Sequence, residues 1–176
     1  TEVLNTVNQQ MFGDAMPELR LDKSSLILSF GADFLGTWIS PVHFAGQFSQ
    51  FRSSPERGTL IQIESKMSLT GANADMWVAA RPGSEGILAL AIANSLLSDK
   101  KQLTTTALPQ DVIELVKKYD INYAAKVTGI SDKTILRITN AIATRMANDK
   151  SCLALAGAPV EGQEQGFASV AAIQLL

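Results

Sequence analysis

Short continuous apolar runs alternate with longer stretches of helical spacing along this chain. Three runs have the length of buried strands, over residues 25–30, 59–63 and 152–156. Between them, apolar residues recur at helical spacing, as over residues 112–119. Parallel strands need crossover helices of this kind. The pattern therefore predicts an α/β fold, a three-layer sandwich in which helices flank a mainly parallel, Rossmann-like sheet.

The same pattern places the other elements. Helices are predicted over residues 2–12, 41–51, 86–97, 112–119, 122–127, 131–145 and 167–176. Polar loops are predicted over residues 65–75 and 98–109. When crossovers are right-handed, the carboxyl ends of parallel strands share one edge of the sheet. The loops over residues 31–33, 64–75 and 157–162 should therefore meet at that edge.

The composition is that of a globular chain with modest charge. It has 176 residues, a net charge of −2 and one cysteine, which suits a single α/β domain over residues 1–176. There is no basic run, so no nucleic-acid partner is expected. No stretch of about 18 consecutive apolar residues occurs, so no direct membrane insertion is expected. Without an initiator methionine or a signal peptide, the chain is expected to be either processed or a fragment of a larger subunit.

The most informative stretch runs from residue 59 to residue 97. A strand ends on Glu64, a hydroxyl-rich loop follows, and Pro82-Gly83-Ser84-Glu85-Gly86 leads into an apolar helix. Ligands of α/β proteins bind at such strand ends, where helix N-termini present free N–H groups. Glu64 suits an acceptor for a ribose diol, or else a solvated acid at a strand end. The first loop, GADFLG, lacks the G-x-G-x-x-G and P-loop patterns, which argues against a plain NAD or ATP site.

Four segments carry a resemblance to a known family. They are GADFLGTWISPVHFAGQFSQFR, ESKMSLTGANADMWVAARPGSEGILALAIA, INYAAKVTGISDKTILRITNAIA and LALAGAPVEGQEQGFASVAAIQLL. Together they resemble the molybdopterin oxidoreductase (complex iron–sulfur molybdoenzyme) superfamily. In that family an acidic strand end, a Ser/Thr-Ala-x-x-Ala-Asp loop and a Pro-Gly-Thr-Asp-like turn line the guanosine end of a molybdopterin guanine dinucleotide. The first loop looks closest to the molybdopterin-like iron–sulfur subunit of alternative complex III, a quinol-oxidising assembly.

The resemblance implies a set of cofactor-binding residues. These are Glu64, Ser68, Thr70, Asp75, Gly83, Ser84 and Glu85. It implies no catalytic residue and no metal ligand in this chain, because the family's cluster-binding cysteines and molybdenum-ligating residue lie in other domains. Glutamate stands at residues 64 and 85 where the family more often has aspartate. The extra methylene moves each carboxylate by roughly 1.5 Å, enough to spoil a bidentate contact.

Two functions follow from the resemblance. The first is a molybdopterin guanine dinucleotide-binding-type domain of a protein in respiratory electron transfer. The second is a structural, cofactor-free domain of an alternative complex III-like quinol-oxidising assembly. In both, the partners are the other domains of the parent chain and the subunits of a membrane-bound respiratory complex, at its periplasmic face. Although the full-length family carries the dinucleotide, none is expected bound to this chain, and the isolated chain is expected to be inactive.

The remaining reactive or aromatic residues have structural interpretations beside functional ones. Cys152 falls inside a predicted strand and is interpreted as a buried thiol. His43, the one histidine, has no acid or cysteine near it in sequence and is interpreted as structural or exposed rather than catalytic. Trp38 and Trp77 are interpreted as packing residues rather than base-stacking ones. Arg81 suits either a phosphate contact or a surface ion pair.

Overall fold

A parallel sheet forms the centre of the structure, a computed structural model that describes residues 2–98 and 108–176. Within these ranges the strands are β1 (Leu26–Phe30), β2 (Thr59–Glu64), β3 (Met76–Ala79) and β4 (Cys152–Ala156). Their order across the sheet is β3-β2-β1-β4, and all three neighbouring pairs are parallel. The predicted fold class, a three-layer α/β sandwich with a mainly parallel sheet, is confirmed.

Strand β3 was not expected from the sequence, which predicted three strands. It spans only four residues, and of these only Val78 is buried. A strand this short carries too little alternation to stand out from the polar loop before it. The predicted loop over residues 65–75 also contains a short helix, α3 (Leu69–Ala72).

Helices surround the sheet. Besides α3 they are α1 (Glu2–Phe12), α2 (Pro41–Ser53), α4 (Glu85–Ser98), α5 (Gln110–Val116), α6 (Ile121–Thr128), α7 (Asp132–Met146), α8 (Ala158–Glu161) and α9 (Gly166–Gln174). A 3-10 turn spans Leu21–Lys23. The predicted loop over residues 98–109 falls mostly outside the described residues. Helix α8 lies within the predicted 157–162 loop.

The connections between strands run in two directions across the sheet, and the direction of each one determines which face its helices cover. The β1-to-β2 crossover runs through α2, and the β3-to-β4 connection returns through α4 to α7. Because right-handed crossovers in opposite directions put their helices on opposite faces, α2 lies across the sheet from α4. Helices α4 and α9 pack closely, since a Cβ at Gly86 would stand 2.7 Å from the Cα of Ser169.

The sheet is buried on both faces. Every residue of β1 is buried, and so is every residue of β2 after Thr59, as expected for a parallel sheet covered by helices. On the α2 side, Phe34 contacts Phe44 and Phe48, with ring centroids 6.5 and 5.7 Å apart. Burying such a side chain contributes about 1.5–3 kcal/mol. In the part of the chain that the structure describes, no helix has the length and apolar character needed to cross a membrane.

Candidate functional site

The loops that follow β1 and β4 meet at the carboxyl edge of the sheet. Gly157 lies so close to Gly31 that a Cβ on Gly157 would stand 2.2 Å from the Gly31 carbonyl oxygen. Gly31 itself has a φ of 68°, a conformation that favours glycine. The loops over residues 31–33 and 157–162 therefore share this edge, as the topology predicted.

The loop after β1 is joined to the loop after β2 through Asp33 and Thr70. The Oδ1 atom of Asp33 accepts hydrogen bonds from Thr70 N at 3.0 Å and Thr70 Oγ1 at 2.9 Å. The same hydroxyl oxygen accepts from Leu35 N at 3.0 Å. Thr70 is completely buried. It therefore holds two loops together, and its hydroxyl group is already engaged in both directions.

Glu64 lies at the end of β2, as predicted, but its carboxylate turns into the protein. Oε1 accepts from Ser68 N at 2.7 Å and from Trp77 Nε1 at 3.1 Å, and Oε2 accepts from Gln62 Nε2 at 2.9 Å. The residue is buried. The carboxylate is therefore not a solvated acid at the strand end, which was one of the two interpretations considered from the sequence. Its bonds instead fix the loop that follows the strand.

Ser68 caps the short helix α3. Its side chain accepts a hydrogen bond from Gly71 N at 3.0 Å, the usual role of serine at this position. Gly71 packs beneath the same loop, where a Cβ would stand 2.2 Å from Glu64 Oε1. Ser68 is half-buried, and within residues 2–98 and 108–176 no acceptor takes its hydroxyl hydrogen, which can therefore donate. Of the two predicted hydroxyl residues in this loop, Ser68 is thus the one that retains bonding capacity.

Asp75 lies at the opposite edge of the sheet. It immediately precedes β3, and its Oδ2 accepts from Leu60 N, at the start of β2, at 2.8 Å. The carboxylate also pairs with the guanidinium groups of Arg52 and Arg57. Burial raises its pKa, but the bonds from Leu60, Arg52 and Arg57 outweigh burial and hold the pKa below its ordinary value. Asp75 therefore does not share an edge with Glu64, and that expectation is corrected.

The turn before α4 brings Gly83, Ser84 and Glu85 to the carboxyl edge. Gly83 has a φ of 80°, and a Cβ there would stand 3.4 Å from Gln163 Oε1. The Ser84 hydroxyl donates to the Arg81 carbonyl oxygen at 2.6 Å. These contacts fix the turn from which the helix starts.

Glu85 is the first residue of α4 and is 4% exposed. Its Oε2 atom is buried and has no hydrogen-bond partner among the residues that the structure describes. Burial raises the pKa of this carboxyl group, while hydrogen bonds from the backbone N–H groups of Glu85, Gly83 and Ser84 act in the opposite direction. A buried acid with one unpaired oxygen at a helix N-terminus is a candidate contact for a hydrogen-bond donor.

Arg81 anchors the turn to α6. Its Nη1 donates to the carbonyl oxygens of Lys126 at 2.8 Å and Val127 at 3.2 Å. These are the last carbonyls of a helix, which attract cations. Among the described residues the Arg81 guanidinium makes no surface ion pair, one of the two contacts considered from the sequence, and the phosphate contact stays a prediction.

The remaining residues singled out by the sequence make structural contacts. His43 pairs through Nε2 with Gln47 Nε2 at 2.8 Å. Cys152 is half-buried in β4, and burial raises the pKa of its thiol. Trp77 donates to Glu64 and Trp38 stacks on Phe44. No group of three or more histidine, cysteine, aspartate or glutamate side chains suited to a metal ion occurs among the described residues.

Sequence reasoning missed the role of Asp33, which bridges two loops of the edge. Its position three residues after a strand end was visible, because Gly31-Ala32-Asp33 directly follows the predicted first strand. Gln62 was missed as well. It lies within β2 and its amide reaches Glu64, and no pattern in the sequence marks that contact.

Comparison with known proteins connects the chain to a molybdopterin-containing reductase. It is 27% identical over 143 residues to the arsenate respiratory reductase molybdopterin-containing subunit ArrA of Shewanella sp. (strain ANA-3), in an alignment covering 65% of this chain and 16% of that protein. Acetylene hydratase from Pelobacter acetylenicus has a similar fold, with a TM-score of 0.76, 18% identity, and coverage of 99% of this chain and 23% of that one. No family model matches the chain.

The similarity to the reductase subunit supports the resemblance to the molybdopterin oxidoreductase superfamily, and the likeness to acetylene hydratase supports the α/β fold. The chain spans 16% of the reductase subunit and 23% of the acetylene hydratase chain. Most of each of those proteins thus lies outside the matched region. The closer likeness to alternative complex III stays a prediction.

Proposed function

We propose that the chain is a molybdopterin guanine dinucleotide-binding-type domain of a molybdopterin oxidoreductase family protein in respiratory electron transfer. The single observation that carries this proposal is the unpaired, buried Oε2 of Glu85 at the carboxyl edge. Ligands of parallel α/β sheets bind at this edge. The similarity to a molybdopterin-containing subunit supplies the class of ligand.

The residues at the edge fit the guanine end of the cofactor in part. A guanine base presents N–H donors on one edge, and a carboxylate oxygen such as Glu85 Oε2 accepts from such donors. Ser68 retains a hydroxyl hydrogen to donate. Glu64 and Thr70 act on the loops, which they hold in place through the bonds described above. The molybdopterin end, when bound, supplies the redox chemistry, and this chain contributes positioning.

Asp75 has a different role in this proposal from the one that the resemblance implies. It lies at the amino edge and pairs with Arg52 and Arg57. Its carboxylate therefore stabilises the sheet and makes no contact with the guanine end. Gly83 and Ser84 shape the turn that presents Glu85.

The rest of the proposed machinery belongs to partners. Other domains of the parent chain would bind the clusters and the metal, and subunits of a membrane-bound respiratory complex would complete the assembly at its periplasmic face. We therefore expect the isolated chain to have no redox activity. Stoichiometric iron or molybdenum in the purified chain, measured by metal analysis, would contradict this expectation.

Titration calorimetry with guanosine diphosphate tests the site. We expect a dissociation constant no tighter than about 100 μM, or about −5.5 kcal/mol, because the acids at residues 64 and 85 are one carbon longer than the aspartates that the family more often has. Glu85→Gln should weaken binding, whereas Asp75→Asn, at the other edge, should not. Adenosine diphosphate is the matched control ligand and should bind more weakly. Micromolar affinity would contradict the expectation of weak binding. If Glu85→Gln leaves the affinity unchanged, Glu85 does not contact the nucleotide.

A second candidate is a structural, cofactor-free domain of an alternative complex III-like quinol-oxidising assembly. One observation favours it: the Glu64 carboxylate makes three internal hydrogen bonds, which occupy both of its oxygens. Absorbance near about 260 nm in the freshly purified full-length parent protein separates the candidates, because a retained guanine nucleotide absorbs there. If the protein is folded, lacks this absorbance and fails to bind guanosine diphosphate, the second candidate holds and the first is wrong.

A further inference from the structure

A polar cleft of about 410 Å³ lies at the amino edge of the sheet, opposite the edge that carries Glu85. Ser25, the residue before β1, contributes to it. Glu56 and Arg57 lead into β2 on one side of β1, and Lys150 leads into β4 on the other side. The C-terminal end of α7 lines the rest. The cleft therefore lies at the amino end of the central strand, away from the candidate guanine contact.

The lining of this amino-edge cleft has an excess of positive charge. Among the residues that the structure describes, its charged members are three cations and one carboxylate, namely Arg57, Arg145, Lys150 and Glu56. Arg57 also pairs with Asp75, but Asp75 pairs with a further cation, Arg52, so the excess over the wider edge is again two. The whole chain has the opposite sign, with a net charge of −2. A local positive potential on an acidic protein favours an anion.

Arg145 is held in a fixed position at the wall of the cleft. Its Nη1 donates to the Ala141 carbonyl oxygen at 2.9 Å, and its Nη2 donates to Thr59 Oγ1 at 2.7 Å. The residue is half-buried, and within residues 2–98 and 108–176 no carboxylate forms an ion pair with it. A guanidinium group has five N–H donors, so three remain for a ligand. Because its planar group is already ordered, little freedom is lost when it binds one.

Lys150 and Glu56 form an ion pair across the cleft, from the β4 side to the β2 side. The backbone of Lys150 is fixed by the turn before it, since its N–H donates to the Arg145 carbonyl oxygen at 2.9 Å. The Glu56 side chain is 71% exposed, so the pair contributes little to stability. A carboxylate thus already bonds to one cation of the cleft, and an incoming anion can replace it at small cost.

A phosphate monoester matches the cleft better than a second carboxylate does. It carries about −1.5 to −2 charges at pH 7 and three acceptor oxygens, against an excess of two positive charges. A carboxylate carries only one charge, and Glu56 already supplies one without cancelling the excess. Arginine also recognises phosphate through paired N–H groups. The volume of about 410 Å³ lies in the range of small-molecule sites, so an organic group fits beside the phosphate.

We propose that the amino-edge cleft binds a small phosphate monoester. Arg145 and Lys150 contact the phosphate group, and Arg57 adds to the positive potential. Glu56 pairs with Lys150 when no ligand is bound and gives way to the phosphate. The proposal does not depend on the guanine contact at Glu85, because the two sites lie at opposite edges of the sheet.

Glycerol 3-phosphate and glycerate form a matched pair of probes, alike in their hydroxyl groups but different in their charged group. The 176-residue chain is titrated at pH 8 and low salt, because salt screens exposed charges, and NMR chemical shifts report binding. Glycerol 3-phosphate should bind with a dissociation constant of about 1 mM, the affinity that two charge-assisted hydrogen bonds supply. Glycerate should bind at least about tenfold more weakly. The amide resonances of Arg145 and Lys150 should shift, and that of Glu85 should not.

Charge-neutralising variants locate the binding. Lys150→Gln should weaken glycerol 3-phosphate binding by about three- to tenfold, and Arg145→Gln is the second variant, with folding verified by circular dichroism. Glu56→Gln should tighten binding by about two- to fivefold, because the competing carboxylate is gone. Lys133→Gln is the matched control, since it changes the net charge equally at an exposed position near the other end of α7. It should leave the affinity unchanged.

Absence of glycerol 3-phosphate binding at about 10 mM would overturn the proposal. Equal affinity for glycerate would overturn it too, and so would a loss with Lys133→Gln as large as that with Lys150→Gln, since binding would then follow net charge alone. Weaker binding by Glu56→Gln would contradict the competing role of that carboxylate. An effect of Glu85→Gln on this titration would place the phosphate at the carboxyl edge and refute the amino-edge site, whereas failure of guanosine diphosphate to bind at Glu85 would leave it standing.

Discussion

The carboxylate of Asp33 and the hydroxyl of Thr70 join the two loops that follow the central strands of the sheet. Thr70 donates to Asp33 through both its backbone N–H and its side chain, at 3.0 and 2.9 Å. Because Thr70 is buried, water cannot replace these bonds. The geometry of the candidate edge therefore depends on a contact between residues 37 positions apart in sequence.

Thr70→Val is expected to lower the free energy of unfolding by about 1–3 kcal/mol. The substitution keeps the shape of the side chain but leaves Leu35 N without its acceptor. Thr70→Ser keeps the hydroxyl and loses only a methyl group, so it should cost about 1 kcal/mol. Urea denaturation measures both. If serine proves as damaging as valine, the methyl group and not the hydroxyl group stabilises the edge.

Gly71→Ala is expected to destabilise the protein by about 1–3 kcal/mol, because the new methyl group has no room. It would stand 2.2 Å from Glu64 Oε1 and 2.9 Å from Trp77 Cδ1. Gly46→Ala is the matched control, since nothing lies within 4 Å of a Cβ at this exposed position of α2. It should stabilise the helix by about 0.5–1 kcal/mol. The midpoint temperature of thermal unfolding should therefore fall for Gly71→Ala and rise for Gly46→Ala.

Asp75 should stabilise the protein in a pH-dependent way. Its folded pKa lies below the ordinary value of 3.8, so the contribution of the carboxylate is fully present above that value. The contribution is lost as the pH falls through the folded pKa. Asp75→Asn should therefore cost about 1–3 kcal/mol at neutral pH and progressively less below about pH 3.8.

Urea denaturation between pH 7 and pH 2.5 measures this difference. Glu56→Gln is the control, because Glu56 is an exposed acid whose ion pair with Lys150 should contribute at most about 1 kcal/mol. A cost of Asp75→Asn that stays constant down to pH 2.5 would contradict the role assigned to the two arginines.

Glu85 should make the protein less stable as the pH rises, which is the opposite of the pH dependence expected from Asp75. Burial raises its folded pKa above the ordinary value of 4.5, so ionising it opposes folding. The favourable contribution is present below about pH 4.5 and is lost as the pH rises through the raised pKa. Glu85→Gln should flatten this decline in stability. The free energy of unfolding of wild type and variant is measured between pH 4 and pH 8. If the difference between them does not change with pH, Glu85 does not cause the decline in stability.

The sequence predicted the long elements and missed short ones, namely strand β3 and helices α3 and α8. Strands β1, β2 and β4 are dense apolar runs, which any parallel sheet requires. β3 has four residues, of which only one is buried, so its pattern is too weak to recognise. Asp75 was misplaced for the same reason. Once β3 is known to begin at Met76, the residue before it has to lie at the amino edge.

The sequence predicted where the residues of the candidate site lie better than it predicted the hydrogen bonds that their side chains make. The strand-end location of Glu64 and the turn at Gly83-Ser84-Glu85 follow from chain order, and the structure brings both to the carboxyl edge. Which oxygen is free depends on side-chain directions. The Glu64 carboxylate is occupied by Trp77 and Gln62, and neither contact follows from spacing or composition.

The position of β1 between β2 and β4 has a consequence for biosynthesis. Leu26 of β1 pairs with Cys152 of β4, 126 residues later in the chain (152 − 26). At a synthesis rate of about 5–20 residues per second, one side of the buried strand β1 stays unpaired for roughly 6–25 s while the chain emerges. Closing so long a loop is intrinsically slow, and an unpaired apolar strand attracts other chains. The nascent polypeptide is therefore expected to need chaperone protection, or early cover by a neighbouring domain, until β4 is made.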